Sequence, residues 1–337
     1  MNLILSIESS CDDTSIALSD INSLKVVREL KLSQEKEHSQ YGGVVPELAS
    51  RLHAVAIPAL IAKVKNYFPY IKAVAVTNRP GLSVTLQEGI IAAKALSAFL
   101  DVPIIGVNHL KGHIYSLFIE KKEKFPLIVL LLSGGHTQII RVSSFNKMDI
   151  LASTMDDSVG ESFDKVAKML GLGYPGGPII EELAKDGDEN RFNFPIPLRN
   201  SPKIAFSLSG LKNAVRIEIE KLKEKGELTL KDKRDIAASF QKALTLHLLD
   251  KTKKIIKKEE IRDFAIVGGV SANLYIKDKF KELLEKYNMN LLTPPLKWCM
   301  DNGAMIGRYA IASYKRAKFD KIETLEAIAT KKGDPLA

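Results

Sequence analysis

An internal repeat constrains the fold of this 337-residue chain more than any other feature of its sequence. Residues 3–20 (LILSIESSCDDTSIALSD) and residues 126–144 (PLIVLLLSGGHTQIIRVSS) each contain an apolar run, a small polar turn and an alternating segment. This order predicts two β-strands joined by a tight turn in each copy. We therefore expect two related units, each with its own hydrophobic core, because the chain is long enough for two domains.

Later in each half of the chain, a second pair of similar segments predicts a strand, a glycine-containing turn and a helix. These segments are residues 71–96 (IKAVAVTNRPGLSVTLQEGIIAAKAL) and residues 261–280 (IRDFAIVGGVSANLYIKDKF). Alternation of strands with helical patterns favours an α/β fold in which helices flank the sheets.

Composition excludes several classes of protein. With 45% hydrophobic and 26% charged residues, the chain has the balance of a soluble globular protein. Its two cysteines, Cys11 and Cys299, provide no disulfide framework and suit a reducing compartment. No apolar run reaches membrane-spanning length and the N-terminus lacks a signal peptide, so we expect a cytoplasmic protein without a membrane partner. The net charge of +9 favours a polyanionic partner, although lysine-rich surfaces also occur on proteins that bind no nucleic acid.

The turn in LSGGHTQ has two interpretations. Gly134 and Gly135 permit unusual φ angles and let backbone amides approach a phosphate, while Ser133 and His136 offer polar contacts. Gly-Gly is equally a favoured pair in a plain hairpin. The corresponding turn ESSCDDT in the first copy favours a ligand site, because both copies then carry polar turns at equivalent points.

Two further glycine-rich turns offer nucleotide contacts. In VGGVSAN, Asn273 presents an amide that can pair with adenine. In YPGGPIIEELA, Glu181 follows a glycine pair at a predicted helix start, where it either contacts ribose or compensates the helix dipole. In DDSVGESFDKVAKML, Ser158 and Glu161 match a capping box, whereas Asp164 is not needed for capping and is a candidate ribose ligand.

The segment NHLKGH places His109 and His113 four residues apart, hence on one face if the segment is helical. They are then either two metal ligands or two packed rings. The zinc-protease signature requires a glutamate after the first histidine, where this chain has Leu110. Asp301 is a candidate third ligand or, alternatively, the N-cap of the following helix. Two histidines and one aspartate would make an open site with room for substrate oxygens.

Eight motifs occur in the order found in one family: ESSCDDT, YGGVVPELASR, NHLKGH, LSGGHTQ, GESFDKVAKMLGLGYPGGP, FSLSGLK, GGVSAN and CMDNGAMIG. Over almost its whole length the chain resembles the tRNA adenosine threonylcarbamoyltransferase family, formerly described as O-sialoglycoprotein endopeptidases, and its bacterial branch in particular. The resemblance implies a two-lobed actin-like ATPase (ASKHA) fold, each lobe built on an RNase H-like mixed sheet with flanking helices. We expect residues 1–108 plus 305–337 to form the first lobe, and residues 109–304 to form the second with the metal and adenylate site.

The resemblance also implies an activity. Family members transfer the threonylcarbamoyl group from threonylcarbamoyl-adenylate to the exocyclic amine of the tRNA adenosine 3′ to the anticodon, releasing AMP. That adenosine must leave the anticodon stack to react. The rival interpretations are an ATP-binding actin-like scaffold or kinase and, less favoured because of Leu110, a metalloprotease.

By the same resemblance, one divalent metal per subunit is expected, Fe²⁺ with Zn²⁺ or Mg²⁺ as alternatives. Its ligands fall on His109, His113 and Asp301. The substrate-binding positions fall on Leu132, Ser133, Gly134, Gly135, His136, Asp164, Gly177 and Asn273, and on Glu181, where relatives often carry Asp. No catalytic base is assigned.

Three further positions depart from the family pattern. Lys111 stands where many relatives carry Glu, and Met300 where Thr is usual. Arg79 interrupts the usual G-P-G-L, and its side chain hinders close backbone approach there. The charge reversal at Lys111 bears on metal affinity because it lies beside the predicted ligands.

The expected partners are tRNA, a shorter inactive paralogue of the same fold and a P-loop ATPase. Residues 46–68 form an amphipathic stretch that covers the core of its own lobe or extends into an interface, and Pro58 is expected to split or kink its helix. Residues 203–258 are lysine-rich and predict amphipathic helices, either with a solvated face or with contacts to tRNA.

Overall fold

The computed structural model describes residues 1–199, 201–328 and 336. The chain divides into two compact units, Met1–Glu123 with Pro294–Ala337 and Lys124–Thr293. We call them the first and second unit. Sequence analysis placed the lobe boundaries after residues 108 and 304. In the structure the two histidines of NHLKGH and Asp301 belong to the first unit. Residues 329–335 and 337 of the predicted first lobe lie outside the described residues.

Each unit contains one five-stranded mixed sheet. The strands are β1 (Leu3–Glu8), β2 (Asp13–Asp20), β3 (Val26–Ser33), β4 (Ile71–Arg79) and β5 (Ile104–Asn108) in the first unit, and β6 (Leu127–Leu132), β7 (Thr137–Ser144), β8 (Lys147–Ser153), β9 (Asp263–Val267) and β10 (Asn290–Leu292) in the second. The strand orders are β3-β2-β1-β4-β5 and β10-β9-β6-β7-β8. In both sheets an antiparallel three-stranded meander is extended by two strands parallel to its first strand. The predicted repeat is therefore confirmed at the level of topology.

Ten α-helices accompany these sheets among the described residues. They are α1 (Glu35–Ser39), α2 (Pro46–Ala62), α3 (Ser83–Leu100), α4 (His109–Tyr115), α5 (Val159–Met169), α6 (Gly176–Ala184), α7 (Ser209–Lys223), α8 (Leu230–Ile256), α9 (Leu274–Glu285) and α10 (Gly303–Tyr314). Short 3₁₀ helices span Lys65–Tyr70, Ser116–Phe118, Gly269–Ala272 and Leu296–Trp298. None of the described helices is both long and apolar enough to cross a lipid bilayer.

The first sheet is covered on both faces because alternate residues of a strand point in opposite directions. Leu3, Leu5 and Ile7 of β1 join a core with α2 and α3, whereas Ile4 joins a separate core with α10. All six residues of β1 are buried. A strand that is buried on both faces carries apolar residues at successive positions, as Leu3, Ile4 and Leu5 do here.

The expected split of helix α2 at Pro58 is wrong, while the alternative, a kink there, stays a prediction. The helix runs unbroken through this proline, which is exposed and sits on the outer face. Ile57 and Leu60, and Val64 just beyond the helix, are buried in the core of the first unit. Val55 points outward with 73% of its surface exposed. The amphipathic stretch therefore serves its own core with one face and leaves apolar surface on the other.

Candidate metal centre and glycine-lined turn

The two histidines of NHLKGH lie at the start of α4, directly after β5. Asn108 ends the strand and caps the helix, because its Oδ1 accepts hydrogen bonds from the backbone N of Leu110 (2.9 Å) and Lys111 (3.3 Å). His109 is then the first helical residue and His113 lies one turn later on the same face. Their ring centroids are 4.6 Å apart at an interplanar angle of 80°. The predicted helical spacing is confirmed.

Asp301 completes the cluster. Its Oδ1 lies 3.1 Å from Nε2 of His113 and 3.5 Å from Nε2 of His109, and the three ligand atoms all lie within 4.8 Å of one another. The N-cap of α10 is Asn302, whose Oδ1 accepts a 2.7 Å hydrogen bond from the backbone N of Met305. Capping is therefore done by Asn302, and the Asp301 carboxylate faces the two imidazoles.

The cluster fits a metal ion. Ligand atoms about 2.1 Å from a tetrahedral ion lie about 3.4 Å from one another, close to the spacing of Asp301 from the two rings. His113 is fully buried, yet neither of its ring nitrogens has a hydrogen-bond partner among the described residues, the 3.1 Å approach to Asp301 lacking hydrogen-bond geometry. A buried polar atom without a partner is costly, and coordination of Nε2 to an ion removes that cost.

Glu8, which the sequence interpretation did not select, orients the first histidine. Nδ1 of His109 lies 3.1 Å from Oε2 of Glu8 and 3.1 Å from Oγ of Ser10. The buried carboxylate also accepts hydrogen bonds from the Ser10 backbone N (2.7 Å) and from Oγ1 of Thr77 (2.5 Å). A carboxylate on Nδ1 directs Nε2 towards the ligand position, as in many metal sites. The signal was present in the sequence as a charged residue that ends an apolar strand.

The electrostatics of the cluster favour positive charge. Burial opposes protonation of His109, but the carboxylates of Asp301 and Glu8 outweigh it and raise the pKa of this histidine to about 9. Burial also opposes ionisation of Asp301, but His109 and His113 outweigh it and lower the pKa of the carboxyl. Two carboxylates around two imidazoles thus create a position suited to a cation.

The turn formed by residues 133–136 lies between β6 and β7 of the second unit. The backbone N of Ser133 donates to the carbonyl of His136 (2.9 Å), and the backbone N of His136 donates to Oγ of Ser133 (3.1 Å). Neither Gly134 nor Gly135 adopts a left-handed φ, so the expectation of unusual φ angles is wrong. A Cβ added to either glycine would meet no atom within 4 Å. The glycines therefore leave open space beside their amides.

The N-terminus of α5 packs against this turn. Ser158 caps α5 by accepting a 3.1 Å hydrogen bond from the backbone N of Glu161, and it donates to the carbonyl of Gly134. Gly160 permits the close approach, because a Cβ there would lie 2.8 Å from the Ser133 carbonyl oxygen. The predicted cap by Ser158 is confirmed, while the Glu161 carboxylate pairs with Lys165 at 2.6 Å.

The remaining predicted substrate residues are linked to one another within the second unit. Oδ1 of Asp164 accepts a 2.7 Å hydrogen bond from the backbone N of Gly176, which adjoins Gly177. Oε1 of Glu181 accepts a 2.7 Å hydrogen bond from the backbone N of Leu274, which adjoins Asn273. These bonds tie α5 to the start of α6, and α6 to the start of α9.

Asn273 and Leu132 complete this set. Asn273 caps α9 through Oδ1, which accepts from the backbone N of Ile276 (2.9 Å), while Nδ2 donates to Oε1 of Gln241 (2.9 Å). Leu132 is fully buried, and its carbonyl lies so close to Gly268 that no side chain would fit there; Gly268 also has a φ of +90°. The ends of β6 and β9 therefore approach through their backbones.

The chain matches a family model described as TsaD, tRNA N6-adenosine threonylcarbamoyltransferase, over residues 25–308. Curated proteins of the same name are similar over nearly the full chain. The protein from Sulfurovum sp. (strain NBC37-1) is 61% identical, with 98% of both chains covered. The protein from Sulfurimonas denitrificans is 57% identical, with 96% of this chain and 98% of the relative covered.

Two solved structures of low sequence identity share the fold. Full-length HypF in its phosphate- and nucleotide-bound form aligns with a TM-score of 0.62 at 16% identity, covering 95% of this chain and 47% of HypF. The activator of 2-hydroxyisocaproyl-CoA dehydratase from Clostridium difficile with bound ADPNP aligns with a TM-score of 0.51 at 14% identity, covering 97% of this chain and all of the activator. The fold is therefore of the actin-like ATPase (ASKHA) class.

Proposed function

Since the chain belongs to the tRNA N6-adenosine threonylcarbamoyltransferase family, we propose that it transfers the threonylcarbamoyl group from threonylcarbamoyl-adenylate to the exocyclic amine of the tRNA adenosine 3′ to the anticodon. Membership of this family identifies the chain as a transferase that modifies tRNA. Our proposal adds four points to this: the acyl-adenylate donor, the release of AMP, the metal and the roles of individual residues.

The reaction balances without a redox partner. The adenosine amine attacks the carbamoyl carbon, the bond from that carbon to the phosphate oxygen breaks, and AMP leaves with the electron pair while the amine loses a proton. An adenine amine is a weak nucleophile, so the protein must align it with the activated carbonyl. We assign no side chain as the base.

In this proposal His109, His113 and Asp301 hold one divalent ion. Two imidazoles and one carboxylate suit Fe²⁺ and Zn²⁺, and Fe²⁺ is the ion we propose; Mg²⁺ is less favoured because it prefers oxygen ligands. When bound, such an ion offsets negative charge on phosphate or carbamoyl oxygens. Glu8 supports the site by holding Nδ1 of His109, which keeps Nε2 directed at the ion.

The second unit supplies the proposed contacts to the adenylate. The open space at Gly134 and Gly135 allows their amides to donate to phosphate oxygens. The other residues of this proposed surface are Leu132, Ser133, His136, Asp164, Gly177, Glu181 and Asn273. Glu181 and Asn273 each retain hydrogen-bonding capacity beyond the bonds that position them, since a carboxylate has about four lone-pair sites and an amide has two N–H donors.

We further propose tRNA, a shorter inactive paralogue of the same fold and a P-loop ATPase as partners, in the cytoplasm. Outward-facing apolar residues of α2 and α3 support a protein interface on the first unit: Val55, Ile91 and Phe99 are 73%, 65% and 76% exposed. Charged substitutions at these positions should abolish binding to the paralogue without unfolding the chain. Sustained multiple turnover by the purified chain alone would count against dependence on partners.

The observation that carries the proposal is the His109–His113–Asp301 cluster in a chain with this family relationship. The decisive experiment incubates the metal-loaded protein with tRNA and threonylcarbamoyl-adenylate and identifies the tRNA nucleosides by mass spectrometry. We expect threonylcarbamoyladenosine at the position 3′ to the anticodon, with AMP released only when tRNA is present. Release of phosphate from ATP without modified tRNA would instead support an ATP-dependent scaffold or kinase.

A further inference from the structure

We propose that Lys31 is a positioning residue that holds the metal ligand Asp301 through its backbone carbonyl. The inference rests on the proposed metal site and adds a residue from β3, an edge strand that carries none of the three ligands. Lys31 lies 270 residues before Asp301, so only the fold brings the two together.

Lys31 is itself held in position by a charged partner. Its Nζ lies 2.5 Å from Oδ2 of Asp13, at the start of β2, and donates a 3.0 Å hydrogen bond to the carbonyl oxygen of Asp301. The side chain of Asp13 is 12% exposed and that of Lys31 32% exposed. The carboxylate and the carbonyl both accept hydrogen bonds from the ammonium, so together they restrict where it can lie.

The register of β2 and β3 explains why this lysine reaches the ligand-bearing turn. Ser15 of β2 is the direct cross-strand partner of Lys31. Oγ of Ser15 accepts a 2.9 Å hydrogen bond from the backbone N of Gly303, two residues after Asp301. A neighbouring pair on the sheet therefore binds the turn at two points, one at Asp301 and one at Gly303.

The Gly303 end of the turn is fixed closely to the sheet. Oγ of Ser6 donates a 2.7 Å hydrogen bond to the carbonyl of Gly303, and a Cβ added at Gly303 would lie 2.7 Å from the backbone N of Ala17. These contacts anchor the start of α10 but lie two residues away from the ligand. Lys31 extends the same anchoring to Asp301 itself, whose carboxylate must keep its direction towards the two imidazoles.

Two effects of removing the lysine oppose each other. Loss of a positive charge near a cation site strengthens metal binding, but this effect is weak because a third of the side chain is in solvent and its charge is paired with Asp13. Loss of the charge-assisted hydrogen bond releases the backbone of a ligand, and disturbing residues that orient ligands lowers metal affinity about 10- to 100-fold. We expect the second effect to dominate, and a value of about tenfold because Gly303 remains anchored.

The test is titration of the metal-free full-length protein with Co²⁺, followed by the visible absorption of the bound ion. Lys31→Met should bind Co²⁺ about tenfold more weakly with an altered spectrum, and Lys31→Arg should restore both because it keeps a charged donor. Asp13→Asn should shift affinity in the same direction, and its effect should not add to that of Lys31→Met. Lys36→Met, an exposed lysine of α1, is the matched control and should bind like the wild type.

Unchanged or tighter Co²⁺ binding by Lys31→Met, with a wild-type spectrum, would overturn the positioning role while leaving the metal site intact. Failure of the wild-type chain to bind Co²⁺ at all would overturn the metal site and with it this inference. Failure of Lys31→Arg to restore affinity would also contradict it, because that variant retains both the charge and a hydrogen-bond donor.

Discussion

The turns β1–β2 and β6–β7 occupy the same place in two sheets of identical topology, but their chemistry is opposite. In the first unit, residues 9–12 follow the buried carboxylate of Glu8 and precede Asp13, and Oε2 of Glu8 lies 3.1 Å from Nδ1 of His109, one of the proposed metal ligands. In the second unit, residues 133–136 follow the apolar Leu132 and carry two glycines with open space above them. In the proposed function, the carboxylate before the first turn supports a cation site and the second turn contacts an anion.

This difference teaches that the repeated topology provides positions, while individual residues at the strand ends decide the ligand. A carboxylate at the end of β1 stabilises an imidazole that directs its other nitrogen to a cation. An apolar residue at the end of β6 leaves backbone amides as the principal donors of its turn. The predictions below ask how completely each unit depends on its own strand-end residues.

The largest expected effect follows from removing one of the proposed metal ligands, all of which lie in the first unit. His109→Ala and Asp301→Ala each remove one of the three proposed ligands, so we expect loss of bound metal. Replacing a residue that only orients a ligand already lowers metal affinity or activity about 10- to 100-fold, so we expect tRNA modification to fall at least about a hundredfold. His136→Ala, in the corresponding turn of the second unit, should retain its metal. Metal content by elemental analysis and circular dichroism of each variant would test this. Normal metal content with normal activity in either ligand variant would refute the assignment.

The second prediction contrasts the acid sensitivity of the units. Burial, reinforced by the charge of Lys251, lowers the pKa of His247 in α8 to about 4, and its Nε2 accepts a 3.2 Å hydrogen bond from the backbone N of Ser207. The unfolded chain takes up a proton near pH 6.5 and the folded chain does so only near pH 4, so stability should fall as the pH drops between these values. The full loss is about 3 kcal/mol.

The measurement compares urea unfolding of wild type and His247→Gln at about pH 7 and about pH 4. The variant should lose the part of the pH dependence that His247 contributes. Amide exchange in α8 reports the second unit, while the fluorescence of Trp298, the single tryptophan, reports the first. Equal pH dependence in both proteins would show that His247 does not cause the acid sensitivity.

The sequence predicted the repeat, the helical spacing of His109 and His113 and the role of Ser158, because each depends on residues close together in the chain. It did not reveal Glu8 or Lys31, since their contacts to His109 and Asp301 join distant segments. It also left Asp301 open between ligand and cap, and the structure assigns the cap to Asn302, one residue later.

The third prediction tests the strand-end carboxylate directly. Glu8→Gln keeps the shape and one acceptor but removes the charge that holds Nδ1 of His109. We expect metal affinity to fall 10- to 100-fold, as for other residues that orient a metal-bound histidine. Co²⁺ titration measures this. Leu132→Met, at the equivalent end of β6, should leave metal affinity unchanged. If Glu8→Gln bound Co²⁺ as tightly as the wild type, the distinction between the two strand ends would lose its physical basis.

The smallest expected effect concerns the glycine turn of the second unit. Gly134 has ordinary φ and free space around a Cβ, so Gly134→Val should fold with stability within about 0.5 kcal/mol of the wild type, as for surface substitutions. The side chain would nevertheless occupy the space beside the amides, and we expect AMP to bind about tenfold more weakly if one amide contact is lost.

Gly160→Ala is the counterpart, because its Cβ would lie 2.8 Å from the Ser133 carbonyl and 2.9 Å from Cα of Gly134. It should destabilise the protein by about 1–3 kcal/mol, the range for overpacking. Calorimetric titration with AMP and urea unfolding separate the two variants. If Gly134→Val bound AMP normally, the anion-binding role of this turn would be wrong. If it unfolded like Gly160→Ala, the glycine would serve the turn's own packing and the opposition between the two turns would disappear.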